Sequence, residues 1–108
     1  MEKYSDSILR HRIEAEQKRI DYAIFTVCLQ HKITREQVIE KTRKAEIVEP
    51  RNILFYILHK VYRIPCQRVG AIFGKDHATV LSGAKRVSGF IEIDKEYENK
   101  ISKIINGI

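Results

Sequence analysis

Side chains able to do chemistry crowd most closely into the run Lys75-Asp76-His77-Ala78-Thr79, with Ser82, Lys85 and Arg86 one and two turns further on. Asp76 stands where a carboxylate can cap a helix and accept from the free N–H groups of its first turn. The outer face of that helix would present His77, Ala78, Ser82 and Lys85, with Thr79 and Arg86 at its margins. A helix start carries unpaired N–H groups and the positive end of the backbone dipole, so this surface suits phosphate. Its chemistry is recognition rather than turnover. No paired carboxylates, nucleophile–base set or metal-ligand spacing can be named, so we expect no catalytic residue, no metal and no cofactor. Cys28 and Cys66 lie far apart and should pack as small apolar groups. His11, His31, His59 and His77 show no HxxH or HExxH spacing.

The formal charge of +6 has a location. Between Arg51 and Ile91 there are seven basic residues and one acid, Asp76, whereas the remainder holds thirteen of each sign. A stretch that is basic yet apolar enough to fold suggests a surface for a polyanion, because each phosphate neutralised releases counterions. With 108 residues there is room for one domain plus an arm, and none for a nucleotide-hydrolysing module beside it. No phosphate-cradling loop appears among the 5 glycines. No apolar run approaches the roughly 18 residues of a membrane span, and the charged N-terminus lacks a secretory signal. The expectation is a single-domain cytoplasmic protein that binds neither membrane nor nucleotide.

The elements that must position the cluster read as helices throughout. Ser5 or Asp6 can cap a first helix ending near His31, with apolar positions Ile8, Leu9, Ile13, Ile20, Ala23, Ile24, Val27 and Cys28. Its polar first part, residues 1–19, reads as a helical arm and residues 20–108 as the domain. Thr34-Arg-Glu-Gln37 is a capping-box pattern opening a short helix to about Arg43. Lys44 to Glu49 reads as a loop, and Pro50 then suits the first turn of the helix Arg51 to Tyr62, with Ile53, Leu54, Ile57, Leu58 and Val61 inward. Pro65 starts the next helix, with Cys66, Val69, Ile72 and Phe73 inward, and Gly74 sits where a left-handed C-cap belongs. Asp76 caps the following helix (Val80, Leu81, Ala84 and Val87 inward), and Asp94 caps the last. Two short helices joined through a glycine fit a helix-turn-helix, whose second helix enters the major groove. The fold class is all-α, a bundle of five or six helices containing a helix-turn-helix.

The segment Gly70-Ala-Ile-Phe73-Gly74-Lys75-Asp76-His77-Ala-Thr79-Val80-Leu81 resembles the signature of the C-terminal, origin-box-binding domain of DnaA, the bacterial replication initiator. That domain (domain IV) carries a helix-turn-helix of the tryptophan-repressor kind. The resemblance runs back through Pro50-Arg51 to the Thr34 helix and forward to about Ile105. It implies sequence-specific binding to double-stranded DNA. By resemblance Lys75, Asp76, His77 and Ala78 occupy the major-groove positions, Thr79 and Ser82 contact phosphate, and Arg51 and Asn52 match a phosphate-contacting Arg-Gln pair. Lys85 and Arg86 would add phosphate contacts from the same helix. Arg43 aligns with a loop arginine that enters the minor groove, and His59 with a backbone-contacting lysine, though a plain helix-face role suits His59 better.

Several positions depart from the family pattern. Its paired glycine is single here, which should alter how the recognition helix is presented. Ala78 replaces a threonine and Ser82 a histidine. The loop carries Glu46 and Glu49 where the family is rich in arginine, which should weaken DNA binding by about 1 kcal/mol each. The initiator's ATP-binding motor has no counterpart in this sequence. The reading is a stand-alone DNA binder in replication control or a mobile element, nucleoid-associated, able to form a homodimer through the N-terminal helix. The alternative is a protein-interaction module that keeps the fold without DNA binding.

Overall fold

The computed structural model describes residues 2–108, with side chains described from Ser7 onward. Six helices follow one another: α1 (Glu2–His31), α2 (Arg35–Ile39), α3 (Ala45–Phe55), α4 (Cys66–Phe73), α5 (His77–Ile93) and α6 (Lys95–Asn106). A π-helical turn, Tyr56–Val61, extends α3, and there is no strand among the described residues. The all-α class and the helix count agree with the sequence.

Burial explains the arrangement. One core gathers Ile20, Ala23, Ile24 and Val27 from α1, Ile53, Leu54 and Phe55 from α3, Val69 and Phe73 from α4, Val80, Ala84 and Val87 from α5, and Ile101 and Ile104 from α6. Phe55 and Phe73 meet edge to face at its centre, with ring centroids 5.2 Å apart. Helix α1 begins at Glu2, so Ser5 and Asp6 lie within the helix rather than at its cap. Its 30 residues span about 45 Å, which accounts for most of the 50 Å long axis of the molecule. Ile8, Leu9 and Ile13, read in sequence as part of the buried stripe, are exposed; burial starts at Ile20.

Two boundaries differ from the sequence reading for definable reasons. Helix α2 stops at Ile39 rather than near Arg43, and Glu40 turns extended with ψ at 159°. The guanidinium of Arg51 takes the carbonyls of Val38, Glu40 and Thr42, which holds this segment out of the helix. The segment read as a loop, Lys44 to Glu49, is helical from Ala45, so Pro50 lies in the second turn of α3 instead of the first. Proline there forgoes a single bond, to the Glu46 carbonyl, while the added turn buries Ile47 to 4% exposure. The π turn closes with Tyr62 N–H donating to Ile57 C=O at 2.9 Å. Its extra residue rotates Val61 out to 39% exposure, where regular periodicity would have kept it inward.

The caps that frame the cluster form as read. Thr34 and Gln37 satisfy each other's backbone N–H at 3.0 and 2.8 Å. Gly74 takes φ 64° and ψ 35° at the end of α4. Asp94 accepts from Glu96 and Tyr97 N–H at 3.0 and 3.2 Å. Cys28 is buried and Cys66 half-buried, both free thiols, and burial raises the Cys28 thiol pKa.

Candidate nucleic-acid interface

Helix α4, the turn Gly74-Lys75-Asp76 and helix α5 build the site. Lys75 N–H donates to Gly70 C=O at 2.9 Å, folding the turn back onto α4. Gly70 permits this approach, since an added Cβ would collide with the Lys75 carbonyl. A single left-handed glycine is therefore enough to close this turn. Asp76 accepts from Thr79 N–H at 2.8 Å, and that bond holds its carboxyl below the usual aspartate range. Val80, Gly83, Ala84 and Val87 anchor α5 to the core, leaving His77, Ala78, Thr79, Ser82, Lys85 and Arg86 exposed. Asn52, Asp76, Ala78, Thr79, Ser82, Gly83 and Arg86 line an open groove of about 540 Å³.

A second arm of the site comes from the segment between α2 and α3. Desolvation first, then Arg51, Lys41 and Arg43, lower the Lys75 ammonium pKa, so the segment's cations and the turn share one positive field. Arg43 is exposed in that segment, Lys75 is half-exposed, and Asn52 is half-buried on the groove wall. Lys41 was absent from the sequence reading. Glu40 and Glu46 flank the run Lys41-Thr-Arg43-Lys44 and cancel its charge in any window count, although the run itself was visible.

Arg51 is placed differently from its expected role at phosphate. It is 5% exposed, and Nε, Nη1 and Nη2 donate to Val38, Thr42 and Glu40 carbonyls at 2.8, 3.1 and 2.6 Å. Its charge fastens the cationic segment rather than facing solvent. Arg68, another cation of the basic stretch, pairs with Glu16 of α1. Glu49 turns toward α6, where Lys100 holds it at 3.2 Å, and Glu46 stays exposed in the first turn of α3. His59 receives no solvent-facing role: its Nδ1 lies 2.8 Å from the Ile64 carbonyl and closes the turn after the π segment.

Among the described residues no cluster of three metal-ligating side chains occurs, and no helix is long and apolar enough to cross a membrane. Residues 20–87 match the family model for the bacterial dnaA protein helix-turn-helix, from the first buried residue of α1 to the last fully buried residue of α5. The chromosomal replication initiator protein DnaA of Mycoplasma pneumoniae is 34% identical over 82 residues, 76% of this chain and 19% of its own length. The corresponding protein of Bacteroides thetaiotaomicron is 32% identical over 92 residues, covering 84% of this chain and 20% of that protein. DnaA 2 of Protochlamydia amoebophila is 28% identical over 102 residues, 92% of this chain and 23% of its own. The chain thus spans about a fifth of the length of the curated relatives it matches. The matched module is a helix-turn-helix. With its turn closed by Gly74, its cap supplied by Asp76 and the match running through α4 and most of α5, this chain belongs to the family of the bacterial DnaA helix-turn-helix.

Proposed function

We propose that this protein binds double-stranded DNA in a sequence-dependent way through the first turns of α5. The observation that carries the reading is the exposed row His77, Ala78, Thr79, Ser82, Lys85 and Arg86 beside the field shared by Lys75, Lys41 and Arg43. His77 and Lys75 would donate to purine N7 or O6, and the Ala78 methyl would meet a thymine methyl. Asp76 organises the helix end while staying at the groove. Thr79, Ser82, Lys85, Arg86 and Asn52 would meet phosphates along the groove wall, and Arg43 would reach the minor groove. Arg51 serves by fixing the segment that carries Arg43. Residues 1–19 serve as an arm to the DNA-binding domain of residues 20–108, and two copies pair through α1.

Such a binder occupies initiator boxes or related sequences and regulates replication at them, on a chromosome or a mobile element. A single helix-turn-helix makes few phosphate contacts, so one copy binds weakly and with steep salt dependence. The test is fluorescence anisotropy with duplexes carrying an initiator box and a scrambled box, titrated across salt. A preference of about tenfold or more for the box, lost in His77→Ala, supports base readout by α5. Equal affinity for both duplexes reduces the reading to backbone binding. No binding even at low salt replaces it with a protein-interaction module.

A further inference from the structure

Helix α5 continues past Val87, where the family match ends, to Ile93. That last stretch carries Phe90, a large apolar side chain left 40% exposed. The guanidinium carbon of Arg86, one turn earlier on the same helix, lies over the Phe90 ring, 5.4 Å from its centroid. The Tyr97 ring of α6 meets Phe90 with centroids 5.5 Å apart and planes at 59°. Tyr97 is fixed in turn by the cap of α6, where Asp94 accepts from its backbone N–H at 3.2 Å. Arg86 also acts on the Tyr97 phenol, against the raising effects of burial and then of Glu49 on its pKa.

Arg86 stands at the junction of two hollows. One is the groove that Asp76, Thr79 and Ser82 line; the other, of about 220 Å³, is lined by Val48, Glu49, Phe90 and Tyr97. Arg35, Arg51 and Arg68 each donate to an acceptor within the protein. Arg86 forms no ion pair among the described residues, and Glu49, the acid beside the same hollow, is taken by Lys100 at 3.2 Å. An aromatic ring covers the face of a guanidinium and leaves its in-plane N–H donors free, whereas a carboxylate would occupy them. Arg86 is therefore held in place with its donors still available.

We propose that Phe90, buttressed by Tyr97, is a positioning residue for DNA binding: it holds the Arg86 guanidinium at the groove, ready to clasp one phosphate of the duplex backbone. The inference rests on the proposal that this groove receives DNA. A loose arginine must give up rotamer freedom on meeting a phosphate, and fixing it beforehand removes part of that loss. The planar fork then suits two phosphate oxygens at once. Arg51 cannot take this part, because its donors are turned to the Val38, Glu40 and Thr42 carbonyls. A helix outside the groove, α6, thereby acts on DNA affinity through Tyr97.

The test is fluorescence anisotropy of the full chain with an initiator-box duplex across salt. The parent is compared with Phe90→Leu, Phe90→Tyr, Arg86→Gln and the double variant Arg86→Gln, Phe90→Leu. Urea unfolding checks each fold, and Phe90→Met replaces Phe90→Leu if the latter is unfolded at the assay temperature. Arg86→Gln should weaken binding and reduce the slope of log affinity against log salt by about 1. Phe90→Leu should weaken binding about two- to fivefold with the slope unchanged, since Arg86 still reaches its phosphate in the complex. Phe90→Tyr should keep the parent's affinity, and Phe90→Leu should cause no further loss once Arg86 is Gln. Tyr97→Leu should follow Phe90→Leu, and Tyr97→Phe the parent. An equal loss in both backgrounds, or none in either, overturns the positioning role. Arg86→Gln without effect on affinity or slope overturns it too, and leaves DNA binding by the first turns of α5 standing. A parent chain that binds no duplex even at low salt overturns the DNA reading and this inference together.

Discussion

Gly83 of α5 lies directly against the carboxamide of Asn52 in α3: an added Cβ would collide with Oδ1 and come within 2.7 Å of Phe55 Cδ2. This contact sets how closely the recognition helix approaches α3, and it forms the floor of the groove that Asn52, Ser82 and Arg86 line. Asn52 can turn aside, but the Phe55 ring is fully buried against Phe73 and cannot.

Gly83→Ala should therefore destabilise the protein by about 1–3 kcal/mol. The gain in helix propensity from glycine to alanine, about 1 kcal/mol, is smaller than the overpacking it causes. Urea unfolding measures this directly, and an unchanged or raised midpoint would show that α5 can back away from α3 without strain.

Arg51→Met should lower stability by about 2–3 kcal/mol, because three carbonyl bonds to a buried cation are lost together. Its DNA affinity should fall at the Arg43 end of the contact, while the slope of log affinity against log salt stays near that of the parent chain. An undiminished unfolding midpoint with a slope smaller by about 1 would instead mark Arg51 as a direct phosphate ligand.

Lys85→Gln gives the opposite pattern. Lys85 is an exposed cation on the outer face of α5, so stability should change by less than about 0.5 kcal/mol. Affinity should drop evenly for box and scrambled duplexes, with the salt slope smaller by about 1. A loss confined to the box sequence would place Lys85 at a base edge instead.

Alkaline unfolding should report Tyr97. Burial first, and then the Glu49 carboxylate, push its phenol from 10.0 up to about 12, opposed by Arg86. The folded state holds the phenolic proton more tightly than the unfolded chain does. This contribution is therefore complete below pH 10 and disappears as pH rises toward 12. Tyr97→Phe should flatten the decline in unfolding free energy over that window, and an identical decline in the variant would assign it to other groups.

Lys32 follows α1 with φ at 56°, a left-handed conformation that costs a side-chain-bearing residue about 1 kcal/mol. Lys32→Gly should raise the thermal midpoint by a few degrees. A lowered midpoint would mean that the lysine makes contacts worth more than the strain it carries.

Local signals read well from the chain because they act over three or four residues. The Thr34–Gln37 box, the Gly74 C-cap, the Asp76 and Asp94 caps and Val80, Ala84 and Val87 of α5 all satisfy backbone groups or bury side chains within one turn of themselves, whereas Leu81, expected inward, is only half-buried at the edge of that stripe. The motif from Gly70 to Leu81 was sufficient for the family, since its turn chemistry is local too. What lay beyond sequence were outcomes decided across distance. Burying Ile47 favours helix through Pro50, and three carbonyls from the α2 end draw Arg51 inward. A π turn rotates Val61 outward, and the end of the globule at Ile20 leaves Ile8 and Ile13 exposed. Periodicity can say that α1 has apolar positions, but only the packed neighbours decide which of its two faces enters the core. Charge counted along the chain likewise found a basic stretch, whereas folding brought Lys41 and Arg43 to Lys75 and withdrew Arg51 into the interior.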